Sequence, residues 1–259
     1  MGVLNVTPDS FSDGGRYLSF DNAIKQAKLM VSQGADVIDI GGESTRPDAI
    51  EVSEEDEISR VIPIVKAIRS QLDVDISVDT SKPKVMEYAV AAGANIINDV
   101  CALQNDGALE VMSDSNTKIC LMHMQGSPRT MQNNPTYKDV VDDIKSFFDK
   151  RLNVCAKAGI SKDRIIIDPG FGFGKTLEHN LEILRRFNEF KTFGLPVLAG
   201  LSRKSMIGAM LGNRDVDTRV TGSVTTAIIA VQNGADIVRV HDVLETKDAL
   251  TVLQSVMGE

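Results

Sequence analysis

Gly34-Ala35-Asp36-Val37-Ile38-Asp39, Gly93-Ala94-Asn95-Ile96-Ile97-Asn98 and Gly234-Ala235-Asp236-Ile237-Val238-Arg239 are three versions of one phrase. Each follows a stretch with helical periodicity. The glycine reads as a helix C-cap, and the apolar run behind it as the next buried strand. Convergence on good turn chemistry and internal duplication both account for the recurrence. Either way, the phrase marks a helix handing over to a buried strand, which is the repeating step of a parallel α/β fold.

Working outward, the same alternation runs the length of the chain. Strands are predicted near 2–5, 37–41, 76–79, 95–100, 119–122, 165–168, 196–200 and 237–241. Helices are predicted at 21–33, 53–71, 83–92, 107–115, 139–158, 178–190, 204–211 with 219–233, and 244–257. Ser53 precedes an acidic turn and Pro83 suits the first turn of a helix. Phe20-Asp21 is expected to staple and cap the first helix. Eight strand–helix units without a linker or low-complexity stretch predict a (β/α)8 TIM barrel forming a single domain over residues 1–259. A doubly wound open sheet is the alternative architecture. The 259 residues suit one such barrel, and a hydrophobic share of 42% excludes disorder.

The net charge of −8 excludes a basic, non-specific nucleic-acid binder. Any anion site must therefore be a local cluster of cations. Cys101, Cys120 and Cys155 are too few and too unevenly spaced for a disulfide framework, which predicts reduced thiols and a cytoplasmic setting. Met1-Gly2-Val3-Leu4-Asn5-Val6 lacks the basic n-region of a signal peptide, and no apolar run approaches a membrane span, so no membrane contact is expected.

In such barrels the chemistry lies where the strands stop. Here they stop on Asn5, Asp39, Asp79, Asn98-Asp99, His123, Asp168, Ser202-Arg203-Lys204 and Arg239-Val240-His241. Alternation puts Ser77 with Asp79, Ile96 with Asn98, Ile166 with Asp168 and Arg239 with His241 on common faces. Leaving such groups unsatisfied in a closed lumen costs about 1–3 kcal/mol each, so a solvated or ligand-filled mouth is expected. Some of them can serve only as loop anchors. Arg46, Lys204, Arg239 and His241 supply the cations for a local anion site. Gly170-Phe171-Gly172-Phe173-Gly174-Lys175-Thr176 looks like a phosphate loop but is not one. Pro169 stands where a Walker glycine is needed, and Lys175 occupies the third glycine of a dinucleotide fingerprint. His123, His179 and His241 show no zinc spacing.

Asn5-Val6-Thr7-Pro8-Asp9-Ser10-Phe11-Ser12-Asp13-Gly14-Gly15 resembles the first loop of the dihydropteroate synthases, and Gly42-Glu43-Ser44-Thr45-Arg46-Pro47 resembles their second. Ser77-Val78-Asp79-Thr80, Ile97-Asn98-Asp99, Leu121-Met122-His123, Asp168-Pro169-Gly170-Phe171-Gly172-Phe173, Ser202-Arg203-Lys204-Ser205 and Arg239-Val240-His241 complete the likeness in order along essentially the whole chain. It implies an enzyme that joins 6-hydroxymethyl-7,8-dihydropterin diphosphate to para-aminobenzoate, giving 7,8-dihydropteroate and pyrophosphate for folate biosynthesis. By the resemblance, Asp79, Asn98, Met122, Asp168 and Lys204 hold the pterin. Asn5, Thr45, Arg46, Arg239 and His241 hold the diphosphate, and Phe11, Pro47, Phe173 and Ser205 line the aminobenzoate pocket. Asn5, with Asp13, is implied to ligate Mg2+. Asp79, Lys204 and Arg46 are implied to act in catalysis, by dissociative displacement without a covalent enzyme intermediate. The loops of Phe11 and Arg46 are implied to close over the substrates. A homodimer and sulfonamide inhibition are implied as well.

Two positions depart from the pattern. Asp48 stands where the family usually has glycine, and the chain begins at the first barrel strand, without the family's usual N-terminal segment. Two other readings compete. A methyltetrahydrofolate-type pterin methyltransferase on the same barrel would share the Asp and Asn contacts but would have no use for an anion clamp. A catalytically silent pterin-binding barrel would not need polar residues at every expected position.

Overall fold

The computed structural model describes residues 1–6, 15–43, 52–126, 131–132 and 134–258, with the backbone alone described over 15–19. Eight strands are present: β1 (Gly2–Asn5), β2 (Val37–Gly41), β3 (Asp75–Asp79), β4 (Ile96–Asp99), β5 (Lys118–Met122), β6 (Ile165–Asp168), β7 (Leu198–Ala199) and β8 (Ile237–Val238). The helices between and after them are α1 (Gly15–Ser32), α2 (Glu54–Gln71), α3 (Pro83–Ala91), α4 (Ala108–Ser113), α5 (Val140–Lys157), α6 (Leu177–Arg185), α7 (Ser205–Met210), α8 (Val220–Gln232) and α9 (Val243–Met257).

Strands β1 to β6 pair in sequence order, all parallel, and β7 pairs parallel with β8. Two parallel bridges close the ring, Ile167 to Val197 and Gly2 to Val240. The Ile167 N–H donates to the Pro196 carbonyl at 3.0 Å, Val3 N–H to the Val240 carbonyl at 2.9 Å and Val240 N–H to the Met1 carbonyl at 2.9 Å. The sheet is thus a closed barrel, and the open-sheet alternative is excluded. Closure leaves no free edge.

The repeated phrase does the work its sequence suggests. Gly34, Gly93 and Gly234 take φ of +92°, +98° and +99°, a region that side chains with a Cβ avoid. At each, the glycine N–H bonds three residues back (Val31, Val90, Val231) and the following alanine N–H five back (Met30, Ala89, Ala230). These are Schellman caps. The third residue of the phrase anchors the preceding strand in two copies: Asn95 Oδ1 accepts the Ile76 N–H at 2.8 Å and Asp236 Oδ2 the Val197 N–H at 2.8 Å.

Caps also set the helix starts. Ser53 Oγ accepts the Asp56 N–H at 3.1 Å, Pro83 occupies the first turn of α3, and Asp139 Oδ1 accepts from Val141 and Asp142. Phe20-Asp21 does not cap the first helix, because α1 begins at Gly15 and carries Asp21 in its interior. No glycine or proline lies between Arg16 and Ser32 to stop the helix extending backwards. The helix predicted at 178–190 ends at Arg185 and continues as a 3-10 turn over Phe187–Phe193.

Alternation sorts the strand residues into two cores. The outward-facing residues Leu4, Ile38, Ile40, Ile76, Val78, Ile97, Ile119, Leu121, Ile165 and Ile167 pack under the helices. The inward-facing residues Ile96, Cys120, Ile166 and Leu198, joined by Met1, Val37 and Ile237, form an apolar lower layer of the lumen. One step up each strand lie Asp39, Ser77, Asn98, Met122, Asp168 and Arg239. The barrel therefore presents its polar groups at the C-terminal mouth, as predicted.

Candidate active site

Arg239 sits at the centre of this layer. Its Nε donates to Asp39 Oδ2 at 2.6 Å and its Nη2 to Asp79 Oδ2 at 2.8 Å. Asn98 Nδ2 donates to the same Asp39 oxygen at 3.3 Å. Asp39 is fully buried, and among the described residues its Oδ1 has no hydrogen-bond partner. Burial pushes the Asp79 carboxyl up to about 7, against the pull of Arg239 and with Asp39 adding to the rise. Burial also works against the charge on Arg239, yet Asp39 and Asp79 hold it above the ordinary arginine range.

A second group faces this one. Asp168, at the end of β6, accepts the Gly170 N–H on Oδ1 at 2.7 Å. Its Oδ2 lies 4.0 Å from where a Cβ on Gly200 would stand, as does the Cβ of Arg239. Burial raises the Asp168 carboxyl, opposed by Lys204 and the Gly170 N–H. Lys204 Nζ donates to the Phe171 carbonyl and lies 4.5 Å from the Phe173 ring centroid, a cation–π geometry. Burial draws the Lys204 ammonium down to about 8, with Asp168 opposing. Met122 is buried at the end of β5 and Ser205 is exposed at the start of α7. Two of the three glycines of the turn beside them leave no room for a Cβ against neighbouring backbone. Gly170, at φ +73°, would place a Cβ 2.0 Å from the His123 carbonyl, and Gly174, at φ +62°, 2.5 Å from that of Gln125.

At the rim, Asn5 is exposed, and its Oδ1 shares the space beside Gly41 with Asp79 Oδ2. His241 donates its N–H to Ser202 Oγ at 3.1 Å, and its Nδ1 lies 3.0 Å from the same oxygen. Phe11, Asp13, Thr45, Arg46, Pro47 and Asp48 lie outside the described residues. Lys82 Nζ bonds Glu43 and the buried Glu57, each at 2.6 Å, and Glu43 Oε1 accepts the Val52 N–H at 2.9 Å.

Three strand-end residues turn out to be anchors. Asp99 accepts the N–H groups of Cys101 and Leu103, fixing a turn in which Ala102 and Leu103 have positive φ. His123 is bonded to Lys175. Arg203 grips Asp242 at 2.5 and 3.1 Å. Conversely, Asp39 has a pivotal place that its position at a strand end signalled without revealing its partner. The Phe171 carbonyl carried no sequence signal.

A carboxylate and an ammonium face each other across a lumen beside a guanidinium set between two further carboxylates. This suits a polar heterocycle carrying an anionic group. The comparisons agree. Residues 1–241 match the family of pterin binding enzymes, and the chain belongs to it. The chain is 55% identical to the dihydropteroate synthase of Haemophilus influenzae, covering 98% of this chain and 92% of that relative. It is 52% identical to that of Escherichia coli, covering 100% and 91%. Among solved structures, Yersinia pestis dihydropteroate synthase with a sulfonamide drug superposes at a TM-score of 0.95, with 50% identity and 100% and 94% coverage. The Xanthomonas albilineans enzyme in complex with 7,8-dihydropteroate gives 0.91, with 45% identity and 100% and 93% coverage. Within the pterin-binding enzymes, then, this chain falls among the dihydropteroate synthases, and it is a transferase.

Proposed function

We propose that this mouth condenses 6-hydroxymethyl-7,8-dihydropterin diphosphate with para-aminobenzoate by dissociative displacement, with the two facing groups of residues dividing the work. The observation that carries this reading is the juxtaposition of Asp168 and Lys204 with the Asp39–Arg239–Asp79 chain. One side accepts and donates to a heterocycle, and the other meets an anion.

Asp168 keeps Oδ1 on the Gly170 N–H, which leaves Oδ2 for the adjacent N–H donors on the pyrimidine edge of a pterin. Asn98 and Lys204 complete the ring contacts, and Met122 forms an apolar wall. A guanidinium has five donors, and Asp39 and Asp79 engage two sites on it. Its remaining donors, with His241, Thr45 and Arg46, are assigned to the diphosphate. Preorganised cations there stabilise the negative charge that grows as the pterin C–O bond breaks. Asp79, between Arg239 and the ring, steadies the positive charge left on the exocyclic carbon. The aniline nitrogen attacks that carbon from a pocket assigned to Phe11, Pro47, Phe173 and Ser205. Lys204 over Phe173 fixes the wall shared by the two substrates.

The donor chemistry also fits Mg2+. Asn5 offers a hard oxygen at the rim, and the described residues form no three-residue cluster of the kind that cages a metal by protein alone. A cation held by Asn5, by Asp13 and by diphosphate oxygens, with several waters retained, matches magnesium's preferences. When bound it supplies charge neutralisation at the leaving group. No described helix is long and apolar enough to cross a membrane. A cytoplasmic setting, a single domain and a homodimer belong to the same proposal, supported by the three free cysteines and by the family.

Incubation with both substrates and Mg2+ tests the reading. Pyrophosphate and dihydropteroate should appear in equal amounts. Pyrophosphate release without dihydropteroate, or neither product from folded protein, would refute it. The methyltransferase alternative predicts methyl transfer from methyltetrahydrofolate instead, and the anion clamp at Arg239 argues against it.

A further inference from the structure

Lys175 is buried at 3% exposure, yet its ammonium makes no salt bridge among the described residues. Its Nζ lies 2.8 Å from the Gly170 carbonyl, 3.0 Å from that of Phe173, 3.3 Å from that of His123 and 3.0 Å from His123 Nδ1. Burial draws it well below the ordinary lysine range, and burial together with Lys175 keeps His123 neutral, down to about 2. A buried amine costs several kcal/mol unless its donors are all met, so such a group is retained where the contacts it makes matter. Its contacts all fall on one turn and the strand end beside it.

That turn orients three site groups. Gly170 donates its N–H to Asp168 and offers its carbonyl to Lys175. The Phe171 carbonyl receives Lys204, and the Phe173 ring lies under the same ammonium. The tie to His123 fastens the turn to β5, whose last residue is Met122. Asn180 adds a second tie, accepting the Gly172 N–H at 2.7 Å, but it holds the turn to α6 and not to the barrel.

We propose that Lys175 is a positioning residue for the pterin subsite: it rivets the Gly170–Phe173 turn to the end of β5, so that Asp168 and Lys204 are held at the separation a pterin ring requires. Lys175 touches no substrate. The diphosphate side does not depend on this rivet, because Asn5, Arg239 and His241 come from β1 and from the end of β8. The proposal rests on the reading of Asp168 as the pterin acceptor.

Calorimetry with two probes tests it: a dihydropterin without phosphates, and inorganic pyrophosphate with Mg2+. Lys175→Met should weaken the pterin probe at least about tenfold, as expected when contact groups shift by a fraction of an ångström to an ångström. It should leave the pyrophosphate affinity unchanged and raise KM for the pterin substrate. His123→Leu, which keeps the lysine but removes one partner, should weaken the pterin probe less, and His123→Asn, which restores an acceptor, should recover it. These two variants decide the question if Lys175→Met does not fold. Parental pterin affinity in folded Lys175→Met or His123→Leu overturns the proposal, as does equal weakening of both probes. Asp168→Asn serves as the reference. If it also binds the pterin normally, the assignment of the subsite falls. If it fails while Lys175→Met binds normally, only the rivet falls.

Discussion

Replacing Arg239 by methionine should be felt first in stability. The guanidinium holds Asp39 and Asp79 at 2.6 and 2.8 Å, and Asp39 is fully buried. Charged hydrogen bonds are worth about 1.5–3 kcal/mol each, and breaking a buried pair by removing one partner costs about 3–5 kcal/mol. The Arg239 side chain keeps 21% of its exposure, so water offsets part of the loss. We therefore expect about 3 kcal/mol, or roughly a 6–12 °C fall in melting temperature for a domain of this size. The larger part of that cost comes from the buried Asp39 carboxylate left without its counter-ion. Asp39→Asn added to Arg239→Met should thus recover a third or more of the fall, although Asp39→Asn alone should destabilise. Thermal melts of the four proteins near pH 7.5, followed by circular dichroism, make the comparison. A drop under about 1 °C for Arg239→Met, or a further drop on adding Asp39→Asn, would refute the view that Arg239 is the counter-ion of this pair.

Three further outcomes follow from the same geometry. Asp168→Asn should weaken a pterin ligand about 10- to 150-fold in calorimetry, the equivalent of one charged hydrogen bond; unchanged affinity in folded protein removes it from the site. Asp79 has a folded value near 7 against an ordinary 3.8, so its contribution to stability is present below about 4 and is lost as pH rises through about 7. Asp79→Asn should therefore gain melting temperature relative to the parent as pH rises from about 4 to about 7, and a pH-independent difference would count against the raised value. Lys82→Met strands the buried Glu57 and should cost about 3 kcal/mol, partly restored by Glu57→Gln; melts in which the second change gives no recovery would show that Lys82 does not balance Glu57.

The architecture was legible because local chemistry and global fold agree at the three glycine phrases, where cap, strand and polar strand end come in six consecutive residues. The polar mouth was legible for the same reason, since alternation along each strand fixes which residues face inward. What sequence could not show was pairing over distance. Asp39 and Arg239 are 200 residues apart and meet only because the barrel closes between β8 and β1. Lys175 was visible only as a spoiler of a nucleotide motif, because a lysine bonded to carbonyls leaves no pattern of partner side chains. The start of the first helix is not legible, because Phe20-Asp21 has the composition of a cap, whereas a cap is defined by what the backbone before it does.

The apolar lower layer of the lumen, from Met1 and Val37 to Leu198 and Ile237, closes the barrel from beneath and makes its mouth a blind well. A well with one entrance imposes a queue. Asn98 and Asp168 lie deep, at 5% and 6% exposure, while Asn5 stands at the open rim. Whatever binds against the deep pair must arrive before anything seated above it. The order of entry is therefore imposed by the plugged bottom of the barrel before any loop takes part.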